Sequence, residues 1–466
     1  MRRACVVGLS ALVIAAVSFV SAASGASSPI IAAWTQMGQA GPSNVQQARV
    51  VVTGDSRCPT LSVRSATRRS LVRMTPRARP DLPSFNDTVC QATIPPGATA
   101  ASVPGHALPV ASDKLRRIAL VGDTGCAQSK GQDCNNPNAK EPWPFAKVAS
   151  SIADENPRPG LIIHLGDILY RNSKSACPAG CGADIAADFF TPAAPMLAAA
   201  PLVMVRGNHE AYEPKGSDCV GWFRYFAFAP AVRTCTQRQR FTPPYRIKLT
   251  AHHELIVLDT SAAPDNDDGD VPVYRDELQT ANGLVTEPAW LISHVPLWEV
   301  AKNTPPEAGP EGNDAGSGIL QKALKDLHEH LSTNVRMVIS GHLHQFEWLS
   351  LTSEAPGQPV PAQLILGDGG TKMSHAIGAI PKGTVVDKLN GVKVLAGDSE
   401  SKFGYGVVQF ENQGTFPADA KSMTIKTDAG STYKTCSLRG YMLGCSSPAL
   451  PNPLGDLPSG LGMTAP

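Results

Sequence analysis

The chain lacks an excess of either charge, with 41 lysines and arginines against 40 aspartates and glutamates and a formal net charge of +1 at pH 7. This balance removes any bulk electrostatic case for nucleic acid or an anionic membrane as a stable partner, so anion recognition must be local. Beyond Val20 no stretch approaches the ~18 consecutive apolar residues of a membrane-spanning helix. The cysteines form no paired Cys-x-x-Cys set, which leaves a thiolate zinc site without support. The Asp-rich run Asp265-Asn-Asp-Asp-Gly-Asp270 lacks the glutamate that a calcium loop needs at its end and reads as a solvated loop. No internal repeat is visible.

What is present is a chain of 466 residues, 42% hydrophobic, enough to bury a core in one large domain with a smaller companion. Arg2 and Arg3 precede an apolar run from Cys5 to Val20, and Val20-Ser21-Ala22 fits the small-x-small cleavage pattern, so residues 1–22 read as a signal peptide. Of 11 cysteines, removing Cys5 leaves an even number, in keeping with an oxidising compartment, secreted or periplasmic. Sequence proximity suggests Cys58 with Cys90, Cys126 with Cys134, Cys177 with Cys181, Cys219 with Cys235 and Cys436 with Cys445. Proximity alone leaves the connectivity open.

Residues 30–110 hold short alternating segments such as Ala48-Arg-Val-Val-Val-Thr53 between Pro, Gly and Ser clusters, a small β-rich accessory region. From Arg116 the pattern changes to apolar runs that stop at polar residues: Ile118–Asp123, Leu161–Asp167 and Leu202–Asn208. Further runs lie at Leu255–Asp259, Trp290–His294, Val335–His342 and Leu364–Asp368. These read as buried strands. A helical face recurs over Gly318–Leu331 through Ile319, Leu320, Leu324, Leu327 and Leu331. Alternating strands and helices imply a layered α/β domain over residues 116–412. Residues 413–466 form a disulfide-containing C-terminal extension with a Pro/Gly-rich tail that is expected to be extended or disordered.

The strand ends carry polar residues where α/β sheets place ligands. In chain order they are Asp123-Thr-Gly125, Gly166-Asp-Ile-Leu-Tyr170, Gly207-Asn-His-Glu210, His294, and Gly341-His-Leu-His344. Each fragment alone is weak, since a Gly-Asp is as often a turn as a ligand. Together they offer the oxygen and nitrogen donors that transition metals take. Asp167 can bridge two ions with its two carboxylate oxygens. An extended His342-Leu-His344 segment sends both imidazoles to one side.

In these motifs, over residues 116 to about 410, the chain resembles the calcineurin-like metallophosphoesterase superfamily, and within it the purple acid phosphatases. Most relatives place a metal-binding His two residues after the first Asp, where this chain has Gly125. Purple acid phosphatases instead have a tyrosinate ligand three residues after the second Asp, where this chain has Tyr170. The resemblance implies a four-layer α/β/β/α sandwich and a packed N-terminal β-rich domain. It further implies that Asp123, Asp167, Tyr170 and His344 hold a ferric ion, and that Asp167, Asn208, His294 and His342 hold a divalent ion, iron, zinc or manganese.

Two ions about 3.5–4 Å apart orient a phosphoryl group and acidify a bound water, so the expected chemistry is hydrolysis of a phosphate monoester, small or protein-borne, by a metal-bound hydroxide. His209 is the expected general acid, with orientation of Asn208 as its other role. Glu210 fixes the His209 ring or forms a surface salt bridge. Arg206 reads as structural, with attraction of an anionic substrate as its other role, and His164 as a satisfied core histidine. His375 is a candidate for the site rim, and His252, His253, His328 and His330 match no motif. Competing readings are a phosphodiesterase or nucleotidase on the same metal pair, and a binding or adhesion protein that has lost activity.

Overall fold

The computed structural model describes residues 29–448 apart from residue 42 and segments 113–114, 172–180, 213–218, 266, 302–315, 328–329, 355–357 and 411–421. The leader, Cys177, His328 and the Pro/Gly-rich tail beyond 448 lie outside the described residues.

Among the described residues two large sheets stack face to face. In the larger, of 11 strands, Arg117–Val121, Leu161–His164 and Leu202–Met204 run parallel, and Gly404–Gln409 closes antiparallel against Arg117–Val121. In the smaller, of nine strands, His253–Val257, Ala289–Ile292, Val335–Ser340 and Ala362–Leu366 run parallel. These strands are near-continuous apolar runs because both faces are covered. Ile118 and Leu120, alternating with Ala119 and Val121, point inward to meet Trp290, Met337, Ile339 and Leu364 of the facing sheet. Ala119 and Val121 point outward to Phe145, Val148, Ala149 and Ile152 of the helix Phe145–Ala153 and to Met196 and Leu197 of the helix Thr191–Ala199. On the far side Ile256, Leu291 and Val338 meet Tyr274 and Leu278 of the helix Val271–Leu284 and Ile319, Leu320 and Ala323 of the helix Gly318–Lys325. The layers are therefore helix, sheet, sheet, helix, a mixed α/β sandwich.

The larger sheet does not stop at the ends of its parallel core. A long hairpin, Ile30–Ala40 and Ser43–Thr53, attaches to it through Gln36 beside Leu202 and continues into Asp87–Thr93. One face of that hairpin feeds the helix-covered core through Trp34 and Val51. The other, Ala48, Val50 and Val52, packs on a separate four-stranded sheet that begins at Thr60–Ser65. At the opposite end Ser422–Thr427, Thr432–Arg439 and Met442–Ser446 extend the same sheet. Sheet hydrogen bonding thus runs across residues 110–116 and 412, and the β-rich region is docked by strand pairing.

Among the described residues four cysteine pairs are bridged as proximity suggested: Cys58–Cys90, Cys126–Cys134, Cys219–Cys235 and Cys436–Cys445. No helix among the described residues is long and apolar enough to cross a membrane. The helix expected over Gly318–Leu331 is shorter, Gly318–Lys325 with Ser317 as N-cap, its hydroxyl accepting from the Leu320 amide at 3.3 Å. Past Asp326 the chain leaves the helix, and His330 sits at φ +53°, with its carbonyl accepting from the Asn282 side chain at 2.5 Å.

Candidate metal centre

Each strand ends two to four residues before the polar group it was expected to carry, so the donors sit on loops springing from the carboxyl ends of both sheets. Asp123, Asp167 and Asn208 follow strands of the larger sheet; His294, His342 and His344 follow strands of the smaller. Three of these residues, Asp123 at φ +55°, Asp167 at +55° and His342 at +70°, have left-handed backbone. Non-glycine residues there cost free energy and persist where the surroundings force them.

The forcing contacts are visible. The Asp123 amide donates to the Gly166 carbonyl at 3.0 Å and the Thr124 amide to the Asp167 carbonyl at 3.0 Å, which locks two ligand loops together. The Asp123 carboxylate accepts from the His342 amide at 2.9 Å, tying the two sheets at the site. The Asp167 carboxylate accepts from the His209 amide at 2.9 Å. Gly207 must be glycine, because a Cβ there would overlap the Asp167 amide nitrogen and carboxylate.

Two constellations result. The buried Tyr170 hydroxyl lies 2.5 Å from Asp167 Oδ2, 3.1 Å from Asp123 Oδ1 and 2.8 Å from His344 Nε2. Beside it, Asn208 Oδ1 lies 2.9 Å from His294 Nε2 and 3.0 Å from His342 Nδ1, and His294 Nε2 lies 3.3 Å from Asp167 Oδ2. Donor atoms of Asp167, His294 and His342 all fall within 4.8 Å of one another. Asp167 belongs to both groups.

The imidazoles are aimed. His294 Nδ1 donates to the Leu165 carbonyl at 2.8 Å and His344 Nδ1 to the Lys372 carbonyl at 3.0 Å, since a carbonyl can only accept. Both Nε2 atoms are thereby turned into the site, the arrangement by which backbone partners orient metal-binding histidines. Burial alone would lower the His294 imidazole, but Asp167 and Asp123 outweigh it and hold it up at about 10. Burial pushes Asp123 up to about 8, against the lowering effect of His294. Asp167 is held well below the carboxylate range, because His294, His209 and two hydrogen bonds overcome its burial. Burial drives Tyr170 well above its ordinary value, and it lowers His342 to about 3 and His344 to about 4. Among the described residues the ion-pair partners of these two carboxylates are imidazoles only, with no lysine or arginine. Buried acid and phenol oxygens with aimed imidazole nitrogens form a donor set that a cation neutralises, so the residues fit a metal centre.

The surrounding residues refine the sequence reading. His342-Leu-His344 is not extended; left-handed His342 begins a tight turn in which the Leu343 amide donates to the Gly341 carbonyl at 2.9 Å. Both rings still reach the site. Glu210 neither holds the His209 ring nor sits at the surface. It is buried, and its carboxylate accepts from the amides of Asp167 at 3.1 Å, Ile168 at 3.0 Å and Gly207 at 3.1 Å. Burial raises it to about 8. His209 itself is exposed, its ring centre 4.0 Å from that of Tyr170. Arg206 is structural, bonded to the carbonyls of Glu210 at 2.9 Å and Gln239 at 2.8 Å and paired with Asp259 at 3.3 Å. His164 is a core histidine 2.9 Å from the Thr124 hydroxyl. His375 is exposed, on the loop whose Ser374 amide bonds to the His344 carbonyl, and stands outside the donor cluster. His253 is buried against Trp290, at a ring distance of 4.6 Å.

Gly125 now has a physical reason. A Cβ there would stand 2.7 Å from the Tyr170 amide nitrogen and 2.9 Å from the Ile168 carbonyl, so no side chain fits while Tyr170 holds its place. Asp188, which no motif marks, fixes that place by accepting from the Tyr170 and Arg171 amides at 3.2 and 3.0 Å.

Residues 116–346 match the family model of calcineurin-like phosphoesterases. The chain carries a calcineurin-like phosphoesterase domain. It is a phosphoric ester hydrolase of mixed α/β fold. Among solved structures, the purple acid phosphatase PPD1 isolated from yellow lupin (Lupinus luteus) seeds superposes at a TM-score of 0.54 with 13% identity, over 86% of this chain and 73% of that one. A structure of PhoD superposes at 0.51 with 12% identity, over 90% of this chain and 92% of that one. These likenesses show the fold. No curated protein matches by sequence.

Proposed function

We propose that the phosphoesterase is a dinuclear metal-dependent phosphatase of the purple acid phosphatase type, exported from the cytoplasm, that hydrolyses phosphate monoesters. The observation that carries this reading is the Tyr170 hydroxyl, buried between Asp123, Asp167 and His344 while Gly125 leaves no room for the histidine usual there. Asp123, Asp167, Tyr170 and His344 would hold one ion, which a phenolate favours as ferric; Asp167, Asn208, His294 and His342 would hold a divalent partner. When bound, such a pair supplies Lewis acidity toward the phosphoryl group and lowers the pKa of water.

The chain's own residues do the rest. Asp167 turns one oxygen, Oδ2, toward both halves of the site while its Oδ1 accepts from the His209 amide, and Asn208 would contribute a neutral oxygen that leaves the second ion with net charge for substrate. His209, exposed and anchored through its backbone amide to Asp167, would deliver a proton to the departing alkoxide. We take residues 116–412 as the catalytic unit. Export is supported by the bridged cysteines.

Asp167→Asn removes the carboxylate charge shared by both halves and is expected to lower turnover of p-nitrophenyl phosphate by at least about a thousandfold, with loss of bound metal. Unchanged turnover would place the activity elsewhere. Rates on the mono- and bis-p-nitrophenyl esters separate a monoesterase from a diesterase, and a large preference for the bis ester would overturn the monoesterase reading.

A further inference from the structure

The interval from Asp55 to Asp81 contains seven arginines and, between those two residues, no lysine, aspartate or glutamate. Arg77 and Arg79 are consumed locally, Arg77 by the Arg224 carbonyl at 2.9 Å and Arg79 by Asp55 at 2.5 Å. Among the described residues the other five form no ion pair. The hairpin of Thr60–Ser65 and Arg69–Arg73 alternates strictly: Leu61 and Val63 are buried under the sheet, while Thr60 and Arg64 on one strand and Arg69, Leu71 and Arg73 on the next are exposed. Register places Arg64 opposite Arg69, Ser62 opposite Leu71 and Thr60 opposite Arg73, with Arg68 in the turn. The Arg69 guanidinium donates to the Ser62 hydroxyl at 3.0 Å, which fixes it on this outer face. Beyond Ser62 and Arg64 the face continues through Ser102, Ala100 and Ala107. It is cationic and, among the described residues, carries no carboxylate.

Two features call for an occupant. Like charges directly opposite across an antiparallel pair destabilise it, and Arg64 opposite Arg69 is such a pair. Leu71 is 72% exposed at the centre of the arginines, a large apolar side chain presented to water. A soluble polyanion would answer the arginines but leave Leu71 idle. A layer with anionic groups at its surface and an apolar interior answers both, and the small residues beside the arginines let a planar surface approach closely.

We propose that this face docks the enzyme reversibly on an anionic phospholipid bilayer, with Arg64, Arg68, Arg69 and Arg73 on headgroup phosphates and Leu71 entering the interface. Guanidinium forks match phosphate oxygens in pairs, and each basic residue near an anionic leaflet strengthens attachment about fivefold. The surface is distinct from the metal centre and the inference does not rest on the reading of that site.

The test is co-sedimentation of the full chain with phosphatidylcholine vesicles and with vesicles containing phosphatidylglycerol, at low and at physiological salt. Binding is expected to the anionic vesicles only, and to weaken with salt. The triple variant Arg64→Ala, Arg69→Ala, Arg73→Ala should bind roughly a hundredfold more weakly. Leu71→Ser should lose binding severalfold, and both variants should hydrolyse a soluble ester at the unchanged rate, which reports an intact fold. Equal affinity for both vesicle types, or none for either, would overturn the proposal. So would Leu71→Ser binding as well as the parent while inorganic polyphosphate binds the free protein, which would assign the face to a soluble polyanion.

Discussion

At the scale of single residues, the site is held by acceptors that touch no substrate. Glu210 gathers three backbone amides under the Asp167 loop. Replacing it by glutamine turns an amide N–H₂ toward those N–H groups and leaves at least one unsatisfied, at a cost of about 1–3 kcal/mol. Glu210→Gln is therefore expected to lower the melting temperature and the metal retained after dialysis, and retention equal to the parent would refute the positioning role. Apolar runs ending at Asp123, Asp167, Asn208, His294 and His342 pointed to these residues at strand ends, whereas Tyr170 entered the expected set through the resemblance alone. Glu210's partner was not, because nothing in Gly207-Asn-His-Glu210 says that its carboxylate reaches back to the Ile168 amide, 42 positions away. Asp188 was invisible for the same reason, its partners being backbone groups brought near only by folding.

At the scale of elements, apolar periodicity located the strands and helices but not their ends. The strands stop before their polar residues because the left-handed turns at Asp123, Asp167 and His342 break the ladder. Helix Gly318–Lys325 stops short of Leu331 although the apolar spacing continues: Leu327 is buried and Leu331 packs against the same core without helical backbone. Periodicity marks which residues face a core, and the core accepts them from either conformation. This helix is held by packing more than by its cap. Leu320→Ala, which empties a fully buried position, should cost about 2–5 kcal/mol, and Ser317→Ala about 1 kcal/mol. Denaturant midpoints of the two variants check the ordering, and a larger loss for Ser317→Ala would contradict it.

Across the whole molecule, sheet pairing ties the N-terminal hairpin, the parallel core and the C-terminal strands into one layer, a connection that local patterns do not encode because it joins residues as far apart as Gln36 and Leu202. Sequence composition separated these regions, and folding merges two of them with the catalytic sheet. Buried imidazoles make this body sensitive to acid. Burial lowers His253 to about 3, so below its ordinary value of 6.5 the unfolded chain takes up a proton that the folded chain refuses. The stability it contributes is complete above about pH 6.5 and is lost as pH falls toward 3, by about 2–3 kcal/mol at pH 4.5. Melting temperatures of the metal-loaded protein should fall between pH 7 and 4.5, and His253→Leu should flatten that fall; an unchanged slope would remove His253 from the account.

The central claim, a two-metal centre in which Tyr170 is a ligand, is tested most directly by metal analysis joined to visible spectroscopy on purified protein and on Tyr170→Phe. Two ions per chain, one of them iron, are expected, with a tyrosinate-to-iron absorption band that is absent from Tyr170→Phe. A fully metal-loaded protein without that band, or a band that survives in Tyr170→Phe, would contradict it.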